Sequence, residues 1–332
     1  MVDVGSNSVH LQVVDAMAGG PPLPTFGAKW PIRLAVHVDD ARCILPKGRA
    51  ALLRALEEAL EAARAQCVDE LLVFATSTLR DAPNGDDIRQ DIEQRLGIEV
   101  SLLTGDDEAR FTFLAARRWF GWHAGHLLVL DIGGGSMEIA HGRDEHPDLT
   151  VSLPLGAARV SRDGLTGDRA KPAHVERLRH DARAMLRQPA ERLRWEAPAA
   201  MAVATSSTFR RLARLTGAPR RRAGPFAHRE LERRALRRAV KQLAGSTVAE
   251  RAQLPGVSRA RAAQILGGAI VAEAAMTELG LASVTICPWA LREGILLQRL
   301  DALTDREAVH ARRLVDAAVV DLGDGDGMRR TA

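Results

Sequence analysis

Cysteine is scarce in this chain: Cys43, Cys67 and Cys287 are an odd number at wide spacings, with no Cys-x-x-Cys pair. A disulfide framework, a zinc ribbon and a dithiol redox motif are therefore excluded, and a reducing compartment is expected. Long apolar runs are missing as well. Hydrophobic residues make up 46% and charged residues 27%, yet no stretch approaches the roughly 18 to 20 residues of a membrane-spanning helix. No charged-then-apolar leader stands before Asp3, so the expectation is a globular cytoplasmic protein with no membrane partner. Its 332 residues suit two domains at roughly 150 residues each.

Lysine is also rare. Only Lys29, Lys47, Lys171 and Lys241 contribute to the 46 Lys and Arg residues, so the positive charge is nearly all guanidinium, the group suited to bidentate phosphate contacts. None of the four lysines is followed by Ser or Thr, which excludes a P-loop, and Glu138 stands where a dinucleotide fingerprint would place its third glycine. The same glutamate, two residues after Ser136, excludes a nucleophile elbow. No His-Glu-x-x-His zinc motif occurs, and His180-Asp181 reads as an exposed pair on a basic helix. The formal net charge is only +4, but residues 159–241 carry 22 Lys and Arg against 8 Asp and Glu. Either a bound polyanion or plain solvation of helix faces accounts for such a segment.

Two glycine-rich turns share one design. Asp3-Val4-Gly5-Ser6-Asn7-Ser8 runs into the apolar stretch Val9 to Val14, and Asp131-Ile132-Gly133-Gly134-Gly135-Ser136 lies between Leu127 to Leu130 and Met137 to Ala140. Each reads as strand, tight turn, strand. The two aspartates are 128 residues apart, and Ala75-Thr76-Ser77 recurs as Ala204-Thr205-Ser206 at an offset of 129, so the chain reads as a duplicated domain. Apolar periodicity predicts helices near 50–65, 88–96, 106–120, 171–187, 207–216, 228–243 and 259–279, with strands at 70–75, 149–153 and 283–286. A helix is expected through Leu300 and a disordered tail over 318–332. Glycine lets backbone N–H groups approach a phosphate closely, Ser and Asn add donors, and an aspartate at each strand end can hold a divalent cation.

These turns resemble the phosphate loops of the acetate kinase, sugar kinase, heat-shock ATPase and actin superfamily. Within it the chain is similar to the exopolyphosphatase and guanosine pentaphosphate phosphatase family, in its short two-domain form. The residues that carry the likeness are Asp3 to Ser8, Ala75 to Asn84, Gly105 to Arg110, Asp131 to Glu138, Leu153 to Ala157, Arg261-Ala262 and Leu291-Arg292-Glu293-Gly294. The resemblance implies an α/β fold of two RNase H-like, actin-like lobes, at 1–116 and 117–297, around a cleft, with a helix at about 298–315 packing back on the first lobe.

By the same resemblance Glu108 is the catalytic carboxylate, orienting or deprotonating water, and Arg80 a phosphate-binding arginine. Asp3, Asp131 and Glu138 hold Mg2+ or Mn2+, with K+ as a further stimulating cation. Gly5, Ser6, Asn7 and Ser8 bind phosphate from one side, and Gly133, Gly134, Gly135 and Ser136 from the other. The implied reaction is release of terminal orthophosphate from inorganic polyphosphate by a homodimer with no nucleic-acid partner. Hydrolysis of the 5′-phosphate of guanosine pentaphosphate and a non-catalytic polyphosphate-binding or alarmone-binding regulator are the alternatives. A nucleotide binder would need an adenosine pocket, for which Gly267-Gly268 is placed.

Two departures from the family pattern stand out. His10 replaces an arginine, so one phosphate contact is expected to be weak or pH-dependent. Only Met1 and Val2 precede Asp3, against about five residues for a typical strand, so the recorded start is expected to lie downstream of the true one. If the basic segment holds a polyphosphate chain, reversing Arg220, Arg221 and Arg222 to Glu raises KM for long chains more than for short ones in steady-state phosphate release.

Overall fold

The computed structural model describes residues 1–17, 20–165 and 167–303; the expected tail over 318–332, and all of the expected helix beyond residue 303, lie outside them. The chain opens with strands β1 (Val2–Val4), β2 (Ser8–Val13) and β3 (Phe26–Pro31), helix α1 (Pro46–Ala65), β4 (Val73–Ala75), the short α2 (Ser77–Arg80), α3 (Gly85–Leu96), β5 (Ser101–Leu102) and α4 (Gly105–Phe120). The second half contains β6 (Leu127–Ile132), β7 (Met137–Gly142), β8 (Leu149–Leu153), α5 (Ala157–Gly164), α6 (Pro172–Leu193), β9 (Met201–Ala204) and α7 (Ser206–Leu215). It continues through β10 (Glu230–Glu232), α8 (Arg233–Gly245), α9 (Val248–Arg251), α10 (Ile265–Glu278) and β11 (Ser283–Ile286). A final helix runs over 291–303.

The strands form two sheets with one plan. The first has the order β3-β2-β1-β4-β5, and the second, read from its other edge, β8-β7-β6-β9-β11-β10. In both, a three-stranded antiparallel meander is followed by parallel strands; β10 is an antiparallel addition at the edge. This repeated order is the two-lobed, actin-like α/β arrangement. The duplication extends to the loops after β4 and β9, where Thr76 (φ −114°, ψ −165°) and Thr205 (φ −111°, ψ −161°) lead into α2 and α7 with nearly identical backbones.

Each sheet has its own core. The first is built from Val2, Val4, Val9 and Leu11 against Leu52, Leu56 and Ala59 of α1. The second centres on α10, whose residues from Ile265 to Met276 are all buried, as expected of a helix apolar around its whole circumference. Of its two charges, Glu273 is buried but accepts hydrogen bonds from Arg179 (2.9 Å) and Arg237 (3.1 Å). Two helices cross between the halves. Although α4 starts beside the first sheet, Ala109, Phe113 and Ala116 pack on Leu127, Val129 and Ala140 of the second. In return, the final helix places Leu291, Ile295 and Leu296 on Met1 and Phe74.

Several expected elements shift. The strand at 70–75 shortens to Val73–Ala75. The basic helix at 228–243 begins only at Arg233, because Glu230–Glu232 pairs with β11. The long apolar helix starts at Ile265, after a 3-10 turn at Arg259–Arg261. Among the described residues no helix is long and apolar enough to cross a membrane.

The final helix meets α4 with no spare room. A Cβ at Gly294 would stand 1.8 Å from the Phe111 carbonyl oxygen, whereas one at Gly245 meets nothing within 4 Å. Gly294→Ala is therefore expected to cost more than the roughly 1–3 kcal/mol usual for overpacking. Gly245→Ala should be neutral, or stabilising by up to about 1 kcal/mol. Thermal denaturation of the two variants checks this contrast.

Candidate active site

The two glycine turns are closed by the same bond. Gly5 N–H donates to Ser8 O (3.1 Å), and Gly133 N–H donates to Ser136 O (3.0 Å). Their carbonyls are engaged from behind. Ser6 O and Asn7 O accept from Ala35 and from Ile32 and Arg33, while Gly133 O and Gly134 O accept from Ala157, Ala158 and Arg159 at the start of α5. The amides of Ser6, Asn7, Gly134 and Gly135 donate to no backbone carbonyl among the described residues. They form a donor set for an anion.

The turns touch across the cleft. A Cβ on Gly134 would come within 2.5 Å of Ser6 Cβ, so only glycine permits this approach. Thr78 Oγ1 donates to Ser6 Oγ (2.6 Å), and Gln264 Nε2, just before α10, donates to Asn7 Oδ1 (2.9 Å). Asp3, Gly5, Ser6, Asn7, Ser8, Glu108, Asp131, Gly133, Gly134, Ser136 and Glu138 line one cleft of about 170 Å³. Two expected site residues stand outside that lining. Gly135 faces an adjoining recess with Thr78 and Arg159. Arg80 reaches the cleft through Glu108, donating from Nη1 to Glu108 Oε1 (2.5 Å) and to Leu103 O (2.7 Å).

Four carboxylates share this space, Glu108 and Glu138 buried and Asp3 and Asp131 half-buried. Register places Asp131 opposite Glu138 on the β6–β7 hairpin, and a capping box at Thr104 and Asp107 starts α4 so that Glu108 lies in its first turn. Burial pushes Glu108 up to about 7, against the opposing charge of Arg80. Burial likewise lifts Asp3 to about 6 despite Arg292. Asp131 is raised by burial and partly relieved by a hydrogen bond from Thr205 Oγ1. Glu138 is raised well above its ordinary value, by burial and then by the charges of Glu108 and Asp131, with Ser152 Oγ donating to it at 3.1 Å. Converging oxygen ligands with so few protein donors fit a hard divalent cation, which Asp3, Asp131 and Glu138 could hold.

Cations stand around this acidic floor. Lys29, Arg211, Arg261 and Arg292 lie close enough that the three guanidiniums, after burial, help lower the pKa of Lys29. Burial, followed by Arg211, brings Arg261 down to about 10. Arg210 is enclosed beside Glu293, Arg292 and Asp131 and donates to Pro288 O (3.2 Å). The sequence reading gives Lys29, Arg210 and Arg211 no role in the site. Arg210 nevertheless ends the second copy of the repeat, five residues after Thr205, where Arg80 stands four after Thr76.

His10 differs from its expected pH-dependent role. Its Nδ1 accepts from Arg292 Nη1 (3.1 Å), leaving Nε2–H to donate to Ser8 Oγ (2.8 Å). Burial and then Arg292 lower its pKa to about 3, so it stays neutral near pH 7 and positions Arg292 instead of charging. Gly267 and Gly268 make no nucleotide pocket. A Cβ there would come within 2.2 Å of Ser161 Oγ and 2.6 Å of Thr208 Cγ2, so these glycines serve the packing of α10 on α5 and α7.

A family model described as the Ppx/GppA phosphatase family matches residues 13–303. The chain is 44% identical over its whole length to Exopolyphosphatase 1 of Mycobacterium tuberculosis, covering 96% of that protein. It is 43% identical to Exopolyphosphatase 1 of Mycobacterium leprae, over 93% of this chain and 91% of the relative. Among solved structures, an exopolyphosphatase from Cytophaga hutchinsonii superposes with a TM-score of 0.81 at 21% identity, over 91% of this chain and 97% of that one. The Aquifex aeolicus Ppx/GppA family member gives 0.73 at 21% identity, over 90% and 96%.

The raised carboxylates make stability depend on pH. In the unfolded chain Asp3 and Glu108 titrate near 3.8 and 4.5, and in the folded chain near 6 and 7. The folded state therefore holds its protons more tightly. Their stabilising contribution is complete below about pH 4 and is lost as pH rises through about 7. In chelator, Tm should fall between about pH 5 and pH 8 through these groups, and Mg2+ should raise Tm more at the upper end. Glu108→Gln should flatten the slope in thermal scans.

Proposed function

This chain belongs to the Ppx/GppA phosphatase family, and we propose that it releases orthophosphate from the end of linear inorganic polyphosphate by water attack. The observation that carries this reading is the union of four carboxylates, two glycine turns and Arg261 in one cleft, with Lys29, Arg211 and Arg292 close to Arg261. The relatives named exopolyphosphatase support it. The carboxylate of Glu108, poised near neutrality, takes a proton from water as its oxygen attacks the terminal phosphorus. The bridging P–O bond breaks and the shortened chain leaves with the electron pair.

Arg80 keeps Glu108 aimed and opposes the effect of its burial. The free amides of the two turns take up the equatorial oxygens, where charge is spread in the transition state. Asp3, Asp131 and Glu138 would hold Mg2+ or Mn2+, which when bound neutralises charge on the terminal phosphoryl group. Lys29, Arg211, Arg261 and Arg292 balance the next phosphates along the chain. In this reading residues 1–116 and 117–297 are the two lobes that enclose the chain end. The cleft lining contains no Phe or Trp to stack on a guanine, which favours the inorganic chain over a nucleotide.

Phosphate release is to be measured from short polyphosphate, long polyphosphate and guanosine pentaphosphate with Mg2+ or Mn2+. Both polyphosphates should be hydrolysed, and Glu108→Gln should lose about 10²- to 10⁴-fold in kcat. Full activity in Glu108→Gln would remove the assigned base. Release from the nucleotide alone would make it the substrate.

A further inference from the structure

The β6–β7–β8 meander carries a second cluster of ligand-type side chains at the end away from the glycine turn. His126 immediately precedes β6, His141 lies in β7 and Asp148 immediately precedes β8. One ligand atom from each lies within 4.8 Å of the other two. The cluster is separate from the catalytic carboxylates by simple strand geometry. His126 is five residues before Asp131, about 16 Å at roughly 3.3 Å per residue. His141 is three residues beyond Glu138. Both spacings are odd, so the histidines stand on the opposite face of the sheet from the two acids.

A second observation concerns unused lone pairs. His141 is 2% exposed, and among the described residues neither of its ring nitrogens has a hydrogen-bond partner; the same holds for the buried Nδ1 of His126. The Ala197 carbonyl lies near enough to His141 to favour its protonated form but completes no well-formed hydrogen bond. Buried imidazole nitrogens are ordinarily paired. Three that are not, in rings stacked 5.5 Å apart, form a donor set without a protein acceptor or donor to satisfy it.

We infer that His126, His141 and Asp148 form a binding site for a borderline divalent ion of the zinc class, distinct from the oxygen-lined phosphate cleft. Two imidazoles and a carboxylate suit Zn2+ and disfavour Mg2+, which prefers oxygen ligands alone. Burial holds His141 toward the neutral form that metals bind. The backbone is already fixed: Asp148 N–H donates to His141 O (2.8 Å), and Ala200 N–H donates to His126 O (2.8 Å). Side-chain rotation is then enough to bring the ligands to Zn–N distances of about 2.0–2.1 Å. The exposed Asp148 and half-buried His126 provide the entry path. Glu196, close enough to influence His141, offers a further carboxylate nearby. Bound metal would tie the loop between β7 and β8 to the start of β6.

The test uses the full chain and zinc alone, with no phosphate substrate. Calorimetric titration and elemental analysis should find a zinc site whose occupancy raises Tm. The double variant Asp131→Asn with Glu138→Gln should retain it. His126→Ala and Asp148→Asn, at accessible positions where folding is not at risk, should each weaken zinc binding by more than the roughly 10- to 100-fold that loss of an outer-shell partner costs. Absence of zinc binding by the wild type, or unchanged affinity in both single variants, would overturn the site. So would zinc binding lost in the cleft double variant and kept in His126→Ala.

Discussion

Four carboxylates confined to one cleft set the terms for the rest of this molecule. Asp3, Glu108, Asp131 and Glu138 come from four separate elements, and burial raises the pKa of every one. Such a cluster is unfavourable by itself. It persists because well-packed strands and α4 fix the backbone, and because Arg80, Arg292, Thr205 and Ser152 each relieve one member in part. What remains is an unmet demand for positive charge. Around it stands a collar of basic side chains that weaken one another, Lys29 and Arg261 most clearly. A polyanion with a divalent cation answers both imbalances together, whereas neither component alone does.

Duplication explains how one chain supplies both halves of this arrangement. The strand plan, the hairpin closed by a Gly-to-Ser bond and the extended threonine before the following helix all occur twice. The copies have diverged in their use of the shared frame. Thr205 braces Asp131, while the helix after Thr76 brings Arg80 to Glu108. Arg210, one residue past the position that matches Arg80, faces Glu293 and Pro288 instead.

Legibility in the sequence followed physical locality. The glycine turns, their strands and the acidic first turn of α4 could be read because spacing and residue type specify them within a few residues. The edge strands β3, β5 and β10 could not. β3 alternates between half-buried and exposed positions, β5 has two residues, and β10 has only Leu231 buried. Charge counting along the chain located a basic segment but not its members in the cleft. Lys29 and Arg261 lie outside 159–241, and Arg220 to Arg222 are exposed. The pairing of Arg80 with Glu108 spans 28 residues, and the neutral state of His10 rests on burial and then on Arg292, 282 residues away. Contacts of that range belong to the tertiary structure.

Asn7 has a double attachment. Its carbonyl is held by Ile32 and Arg33 within the first half, while its side chain receives a hydrogen bond from Gln264 in the second. Ser6 is similarly bonded to Thr78 and pressed against Gly134. A hinge motion separating the halves would pull on the same few atoms that are proposed to bind the phosphoryl group. Any opening between the halves would therefore loosen the proposed anion cradle at the same time.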